Sequence, residues 1–453
     1  MKIGVSGISA LAVSMAMAMA VPVPVPAFAG EYVEGGEQCE DCRSIIVTGA
    51  STGYVAQDIV TATKTNTPIL DVPQTIHVVT REQLDDQAQY SLGEVLRYVP
   101  GTTVGQGEGN RDQITLRGQN TTADFFLDGV RDDVQYYRGL YNVERVEILK
   151  GPYALIFGRG GGGGIINRVQ KTPIADETFG AARASFNSFG GWDLSADLNA
   201  PLGSKAAIRL NATYEKMESD RAFVDGERYA WNPYLAVDLS DDWKLGLSYE
   251  YVHDDRVPDR GVPSIATVAG QPNTPVRGYD RLFFGIPGIN RTTLEAHIAK
   301  LRLDGQLADN LKFTSTLLYG DYDKLYVNAY ANSTVSATNT VTLEAYSDPT
   351  KRENLIGQAN PIWDIETGAL EHKLLFGIEY GDQKTRNMRF NRTFSSGNIF
   401  SLTNPVYPSV VFTTPSRNTV SDVGFFSAYA QDQIGIGEHF DIVVGLRYDH
   451  FVI

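Results

Sequence analysis

Along most of the chain, apolar and polar residues take turns. In 192–200, Trp192, Leu194, Ala196 and Leu198 fall on one side, with Asp193, Ser195, Asp197 and Asn199 on the other. In 243–251 the apolar set is Trp243, Leu245, Leu247, Tyr249 and Tyr251, set against Lys244, Gly246, Ser248 and Glu250. In 442–448, Ile442, Val444, Leu446 and Tyr448 alternate with Val443, Gly445 and Arg447. A period of two with one polar face predicts a half-buried strand. One such strand suits a soluble sandwich as well as a membrane barrel, and the connections separate the two. Strands are predicted near 179–188, 191–200, 205–217, 228–239, 242–254, 292–306, 311–327, 351–365, 369–382, 421–434 and 439–451. Links after the even-numbered strands are short, at 201–204, 240–241, 308–310, 366–368 and 435–438. Most links after odd-numbered strands are long, as at 255–290 and 383–420. Short turns at one end and long loops at the other predict a transmembrane antiparallel β-barrel over 179–453. Eleven strands is an odd number, and an open edge in lipid leaves backbone groups unpaired. The expectation is a truncated barrel, about half of one with about 22 strands, the size class whose lumen is plugged.

Residues 66–172 read differently, as a small mixed α/β domain. Thr75 to Thr80 is strand-like. Arg81 to Val99 is helical, with Leu92, Val95, Leu96 and Val99 at helical spacing before Pro100-Gly101. Further strands are predicted at 114–118, at 124–128 turning on Asp128-Gly129, and at 143–149. The run Gly158 to Asn167 holds Gly160 to Gly164 in succession. It lacks the Lys-Ser/Thr ending of a phosphate loop, so it reads as a tight turn that lets backbones pack closely.

At the start, Lys2 precedes an apolar run from Ile3 to Ala20, then Val-Pro alternation to Pro26 and the small-x-small site Ala27-Phe28-Ala29. That is a secretory signal peptide over 1–29. Residues 30–65 are polar and rich in Gly and Thr, and are expected to be flexible. Cys39 and Cys42 are the two cysteines, and an exported chain predicts a small disulfide between them. A Zn site needs about four ligands, and no further Cys or His cluster is near. Gly (44), Tyr (23) and Phe (20) are plentiful while mean hydropathy is only −0.19, as expected where alternate residues meet lipid. A formal charge of −15 argues against nucleic acid as a partner. No catalytic constellation or cofactor motif is present, so the chain is not expected to be an enzyme.

Several stretches resemble the TonB-dependent siderophore receptor family. They are Ile45-Ile46-Val47-Thr48-Gly49, 71–76 (Asp-Val-Pro-Gln-Thr-Ile), Leu116-Arg117-Gly118, 126–130 (Phe-Leu-Asp-Gly-Val), 143–152 (Val-Glu-Arg-Val-Glu-Ile-Leu-Lys-Gly-Pro) and 158–167, in the family's order and spacing. The resemblance implies a plug folded inside a 22-stranded barrel, set in outer-membrane lipid, with uptake energised by the inner-membrane partner TonB. It makes Ile45 to Gly49 the TonB box. Those residues have high β propensity and can add as a strand to a partner's sheet edge. Only 30–44 lie between the cleavage site and the box, which leaves little room for the signalling domain of some members.

The resemblance also implies that two plug loops, 105–111 and 131–141, face outward to the ligand. Arg111, Arg131, Tyr136, Tyr137 and Arg138 are the candidate contacts, since guanidinium and phenol rings suit a flat anionic chelate. Arg389 and Arg392 join them from the long stretch 382–420, where Lys384, Arg386, Arg389, Arg392 and Arg417 invert the chain's net charge locally. The segment 126–132 resembles receptors for catecholate siderophores. A ferric siderophore is therefore the expected ligand, with no resident cofactor. A hydroxamate siderophore, cobalamin, an oligosaccharide or a passive pore are the alternatives.

Overall fold

The computed structural model describes residues 53–453 except 152, 159, 161, 268–270 and 438–439, and the side chain of Ala154. The signal peptide, Cys39, Cys42 and the box at Ile45 to Gly49 lie outside the described residues.

Eleven long strands form one antiparallel wall, each paired to the next in chain order: Phe179–Phe186, Trp192–Pro201, Ala206–Glu218, Asp225–Ser240, Trp243–Arg256, Arg291–Ala308, Leu311–Ala331, Thr350–Thr367, Leu370–Phe394, Val410–Ile436 and Phe440–Val452. The wall is inside-out relative to a soluble protein. Leu194, Leu247, Leu317, Ile378 and Val444 are exposed on its outer face. Asn211, Asn232, Glu250, Lys300 and Gln431 are buried on the inner one. Aromatic pairs mark two levels: Trp231 with Tyr249 at 5.2 Å, and Trp243 with Phe313 at 6.1 Å. Trp243 and Tyr251 are eight residues apart on one strand, about 26 Å at a rise of about 3.3 Å per residue, matching the apolar band of such barrels.

Inside the wall sits the plug. Its sheet has the order Thr75–Thr80, Val143–Lys150, Ile165–Gln170, Phe125–Leu127, Val130–Arg131, with Ile165–Gln170 and Phe125–Leu127 parallel. Two short helices flank it. Thr80 caps Arg81–Asp86 through Gln83 N, and Ser91 with Glu94 forms a capping box on Leu92–Arg97. The predicted helix over 81–99 is thus two, parted where Ala88 takes a φ of 50°. Leu84, Leu92, Leu96, Val146, Ile148 and Ile166 fill the core between helices and sheet. The glycine run makes the close approach expected of it. A Cβ on Gly163 would stand 2.1 Å from Leu116 O, and one on Gly164 would stand 2.2 Å from Leu149 O.

Two further expectations are corrected. The stretch 382–420 is mostly not a loop. Strands Leu370–Phe394 and Val410–Ile436 run on as a paired hairpin, 25 and 27 residues long where about 10 suffice to cross a bilayer. Beyond the membrane they join an outer cap with its own core, including Phe284, Val341, Leu343 and Phe400.

Nor is the segment before the plug loose up to residue 65. Ile59, Ala62, Thr63, Lys64 and Thr65 are buried. Ile59 and Ala62 pack into an apolar cluster of the plug with Val72 and Leu149, and residues 63–65 are hydrogen-bonded to the wall. Lys64 Nζ donates to Gln358 Oε1 and to the Tyr429 hydroxyl, both at 2.8 Å. Gln431 and Gln433 donate to Thr63 O and Thr65 Oγ1. Charged hydrogen bonds of this kind contribute about 1.5–3 kcal/mol, so Lys64→Met should raise amide exchange at 59–67 roughly 10- to 150-fold. Exchange in 143–150 should stay as in the parent protein. Unchanged exchange at 59–67 would show that the segment is held by something else.

Candidate functional site

Polar contacts hold the plug against the wall. Lys300 pairs with Asp128, and Arg352 with Asp133 at 2.6 Å. The Tyr141 hydroxyl donates to Glu250 at 3.0 Å, and Lys324 Nζ to Asn110 Oδ1 and Gln135 O, each at 2.5 Å. These contacts fix the two plug loops toward the end of the barrel that carries the long connections.

The loop 131–141 does not present all the residues expected of it. Arg138 is 2 % exposed and wholly committed inward. Its Nε donates to Asp132 Oδ2 at 2.9 Å, its Nη1 to Asp112 at 3.4 Å, and its Nη2 to Asp132 O and Val134 O. The guanidinium also lies over the Phe125 ring at 4.0 Å. Tyr136 is buried with its hydroxyl on Asp132 at 2.9 Å, and burial together with Asp132 raises its pKa. Arg168 reaches the same carboxylate at 2.9 Å. Arg131 is buried too, donating to Phe157 O at 2.9 Å beneath the Phe126 ring. Arg131, Tyr136 and Arg138 are therefore clamps that shape the loop, not a contact surface. Sequence alone could not tell, because the partners Asp112 and Arg168 come from distant segments.

Tyr137 is different. It stays half-buried, with Arg256 stacked at 4.8 Å from its ring centre, and burial pushes its hydroxyl up to about 12. Arg111 is likewise half-buried and pairs with Glu108 at 2.6 Å. Glu108, at the tip of the first loop with a φ of 56°, is the hub of the mouth. Arg260 Nη2 lies 3.0 Å from Glu108 Oε1, and the Tyr326 hydroxyl donates to Glu108 O at 2.8 Å. Arg260 also donates to the hydroxyl oxygens of Tyr326 and Tyr346, at 3.2 and 2.8 Å, and stacks 3.9 Å over the Tyr330 ring. Arg389 lies 4.2 Å over Tyr346 and pairs with Asp348, while Arg392 pairs with Glu344 at 2.6 Å. Burial would raise the Glu108 carboxyl, but Arg260 and Arg111 outweigh it and hold it below its ordinary value.

The mouth is thus a patch in which guanidinium groups outnumber carboxylates and tyrosine rings lie beneath them. Arg111, Tyr137, Arg389 and Arg392 of the expected set belong to it. Arg256, Arg260, Tyr326, Tyr330 and Tyr346 were missed. Tyr322, Tyr326 and Tyr330 recur at even spacing on Leu311–Ala331, the inward face by period two, and that signal was available. The arrangement suits a planar, anionic, oxygen-rich ligand: guanidinium groups supply charge and planar donors, and the rings supply stacking. Among the described residues, no group of His, Cys, Asp and Glu is arranged to hold a bare metal ion.

Two family models match the chain. Residues 68–165 match the TonB-dependent Receptor Plug Domain, and residues 230–453 match the TonB dependent receptor-like, beta-barrel. The siderophore receptor PiuA of Acinetobacter baumannii is 27% identical over 416 residues, 85% of this chain and 55% of that protein. Its crystal structure aligns with a TM-score of 0.75 at 25% identity, covering 85% of this chain and 58% of that one. The catecholate siderophore receptor Fiu of Escherichia coli is 27% identical over 450 residues, 92% of this chain and 58% of that protein. The metal-pseudopaline receptor CntO of Pseudomonas aeruginosa is 31% identical over 422 residues, 89% and 57% of the two chains. The chain spans between half and three-fifths of the length of these relatives.

The clamp and the mouth should respond differently to substitution. Arg138→Met leaves Asp132 and Asp112 short of a buried partner and should cost the plug about 3–5 kcal/mol. Arg389→Ala, at a part-exposed pair, should cost about 1 kcal/mol or less. Denaturant titration with the plug's amide exchange as readout checks both, and equal effects would contradict the assignment. Because the Glu108 pKa is depressed in the fold, its stabilisation is present above its unfolded value and lost as pH falls through the folded one. Docking of 105–111 should therefore survive mild acid and release only below the ordinary glutamate range.

Proposed function

Because this chain belongs to the TonB-dependent receptor family, we propose that it serves the energised import of ferric siderophores of the catecholate type. Its place is the outer membrane, where the apolar outer face of the wall meets lipid. The observation that carries the ligand class is the Arg260–Tyr330 and Arg389–Tyr346 stacking at the mouth. A tris-catecholate ferric complex carries about −3, which a patch of part-exposed guanidinium groups attracts. Its flat rings match the tyrosines. Energy coupling runs through Ile45 to Gly49, which adds as a strand to TonB.

Two experiments on the full-length receptor test this. Ile46→Pro removes a backbone donor and should abolish uptake while surface binding persists. Uptake at the parental rate would remove the coupling role from this segment. Arg260→Ala should weaken binding of a ferric catecholate roughly 10- to 150-fold, the loss of about 1.5–3 kcal/mol for a charged hydrogen bond. A neutral ferric hydroxamate should be affected far less. Equal losses for both would remove the catecholate assignment and leave import in place. The likeness to a metal-pseudopaline receptor favours a second reading, an anionic chelate of another metal. Stronger competition for the mouth by a carboxylate-rich zinc chelate than by the ferric catecholate would select it.

A further inference from the structure

Between the plug and the inner face of the first five wall strands lies a cavity of about 620 Å³. It begins beside Tyr137 and Arg256, passes Arg228, and ends near Arg209 and Lys171. On strand Asp225–Ser240, Arg228 pairs in register with Asp254, and Arg209 faces Tyr234 six residues further on. The cavity therefore extends about 20 Å along the wall at a rise of about 3.3 Å per residue. Its size falls within the range of small-molecule sites.

Most charges on its lining are engaged with one another. Arg81 pairs with Asp85 at 2.7 Å, Arg183 with Asp193 at 2.8 Å, and Asp197 takes both Lys171 and Arg209 at 2.8 Å. Arg228 stands apart. It is 8 % exposed, and its Nε is buried with no hydrogen-bond partner among the described residues. Its Asp254 partner is 4.0 Å away, and Arg256 grips both oxygens of that carboxylate. A guanidinium taken out of water needs a close anion or acceptor; Glu215, its register partner on the neighbouring strand, lines the same cavity but makes no ion pair with it among the described residues.

The plug leaves room for it. Gly139 is absent from the left-handed residues, so its backbone could carry any side chain. A Cβ there would stand 2.9 Å from Arg228 Nη2 and 3.2 Å from Tyr141 Cδ1. What glycine supplies at 139 is space in front of the guanidinium.

We propose that this cavity is an inner station for an anionic, ring-bearing group, held by Arg228 between Tyr137 and Tyr141. It would receive an acidic group of the chelate once that group has passed the mouth. The inference rests on the import reading but concerns a place further in, a cavity that leads from the mouth at Tyr137 and Arg256 and runs behind the plug loop.

Benzoate is the probe, with benzamide as its neutral counterpart, titrated by ligand-observed NMR into the full-length receptor in detergent. The parent protein should bind benzoate measurably and benzamide far more weakly. Arg228→Met and Gly139→Ala should each weaken benzoate by about tenfold or more, the loss of one charged contact. Lys205→Met, on an exposed turn outside both the mouth and the cavity, should leave it unchanged. Gly139→Ala removes no charge, so a loss there cannot come from an unpaired carboxylate. Parental affinity in both cavity variants, equal binding of benzoate and benzamide, or a loss confined to Lys205→Met would each overturn the proposal. Because the readout is binding of a small anion and not uptake, such a result leaves the import reading standing.

Discussion

A wall whose apolar side chains face outward must turn its charged ones inward, and everything inside this protein answers to that constraint. Lys300, Arg352, Glu250 and Arg447 project into the lumen, where an unpaired charge costs several kcal/mol. The plug supplies the complement: Asp128 to Lys300, Asp133 to Arg352, Tyr141 to Glu250, and the Ile156 carbonyl to Arg447. Such pairs contribute little net stability over water, yet each is expensive to break singly. The plug is held by a set of directional contacts that fix its position more than they glue it.

The same logic shapes the mouth. Arg138 and Arg131 spend their donors on the plug's own backbone and acids, and so give the second loop a fixed form. The wall then brings Arg260 and the tyrosines to a loop already shaped. Glu108 ties the two together, with Arg111 of its own loop on one side and Arg260 of the outer connection on the other. The mouth is built by apposition of the plug loops and the wall.

Period-two alternation made the wall strands legible because lipid on one face and polar lumen on the other enforce it residue by residue. The signal ends where the lipid ends. Above the membrane, Lys384 and Arg386 on the long hairpin meet water while backbone pairing continues, so a strand reads as a loop. The plug's helical stretch and strands were legible from spacing and turn residues, and the glycine run from its composition. What could not be read was commitment. Arg138 and Tyr137 are neighbours that both read as ligand contacts, yet one is buried between Asp112 and Asp132 and the other stays half-buried at the mouth. Likewise 53–65 has the composition of a loose tether, yet Gln358, Tyr429, Gln431 and Gln433 of the wall, with Glu82 and Asn167 of the plug, make it a docked one.

The inside-out wall also bears on how such a chain reaches its membrane. Spaced at every second position, the apolar residues never accumulate into the run of roughly 18 that an inner-membrane translocation channel would release sideways into lipid. Unfolded, the wall segment is a polar polymer. Pleating then sorts the side chains onto two faces, and affinity for lipid appears together with the hydrogen-bonded sheet. The sequence thus conceals its destination until the fold that belongs there has formed.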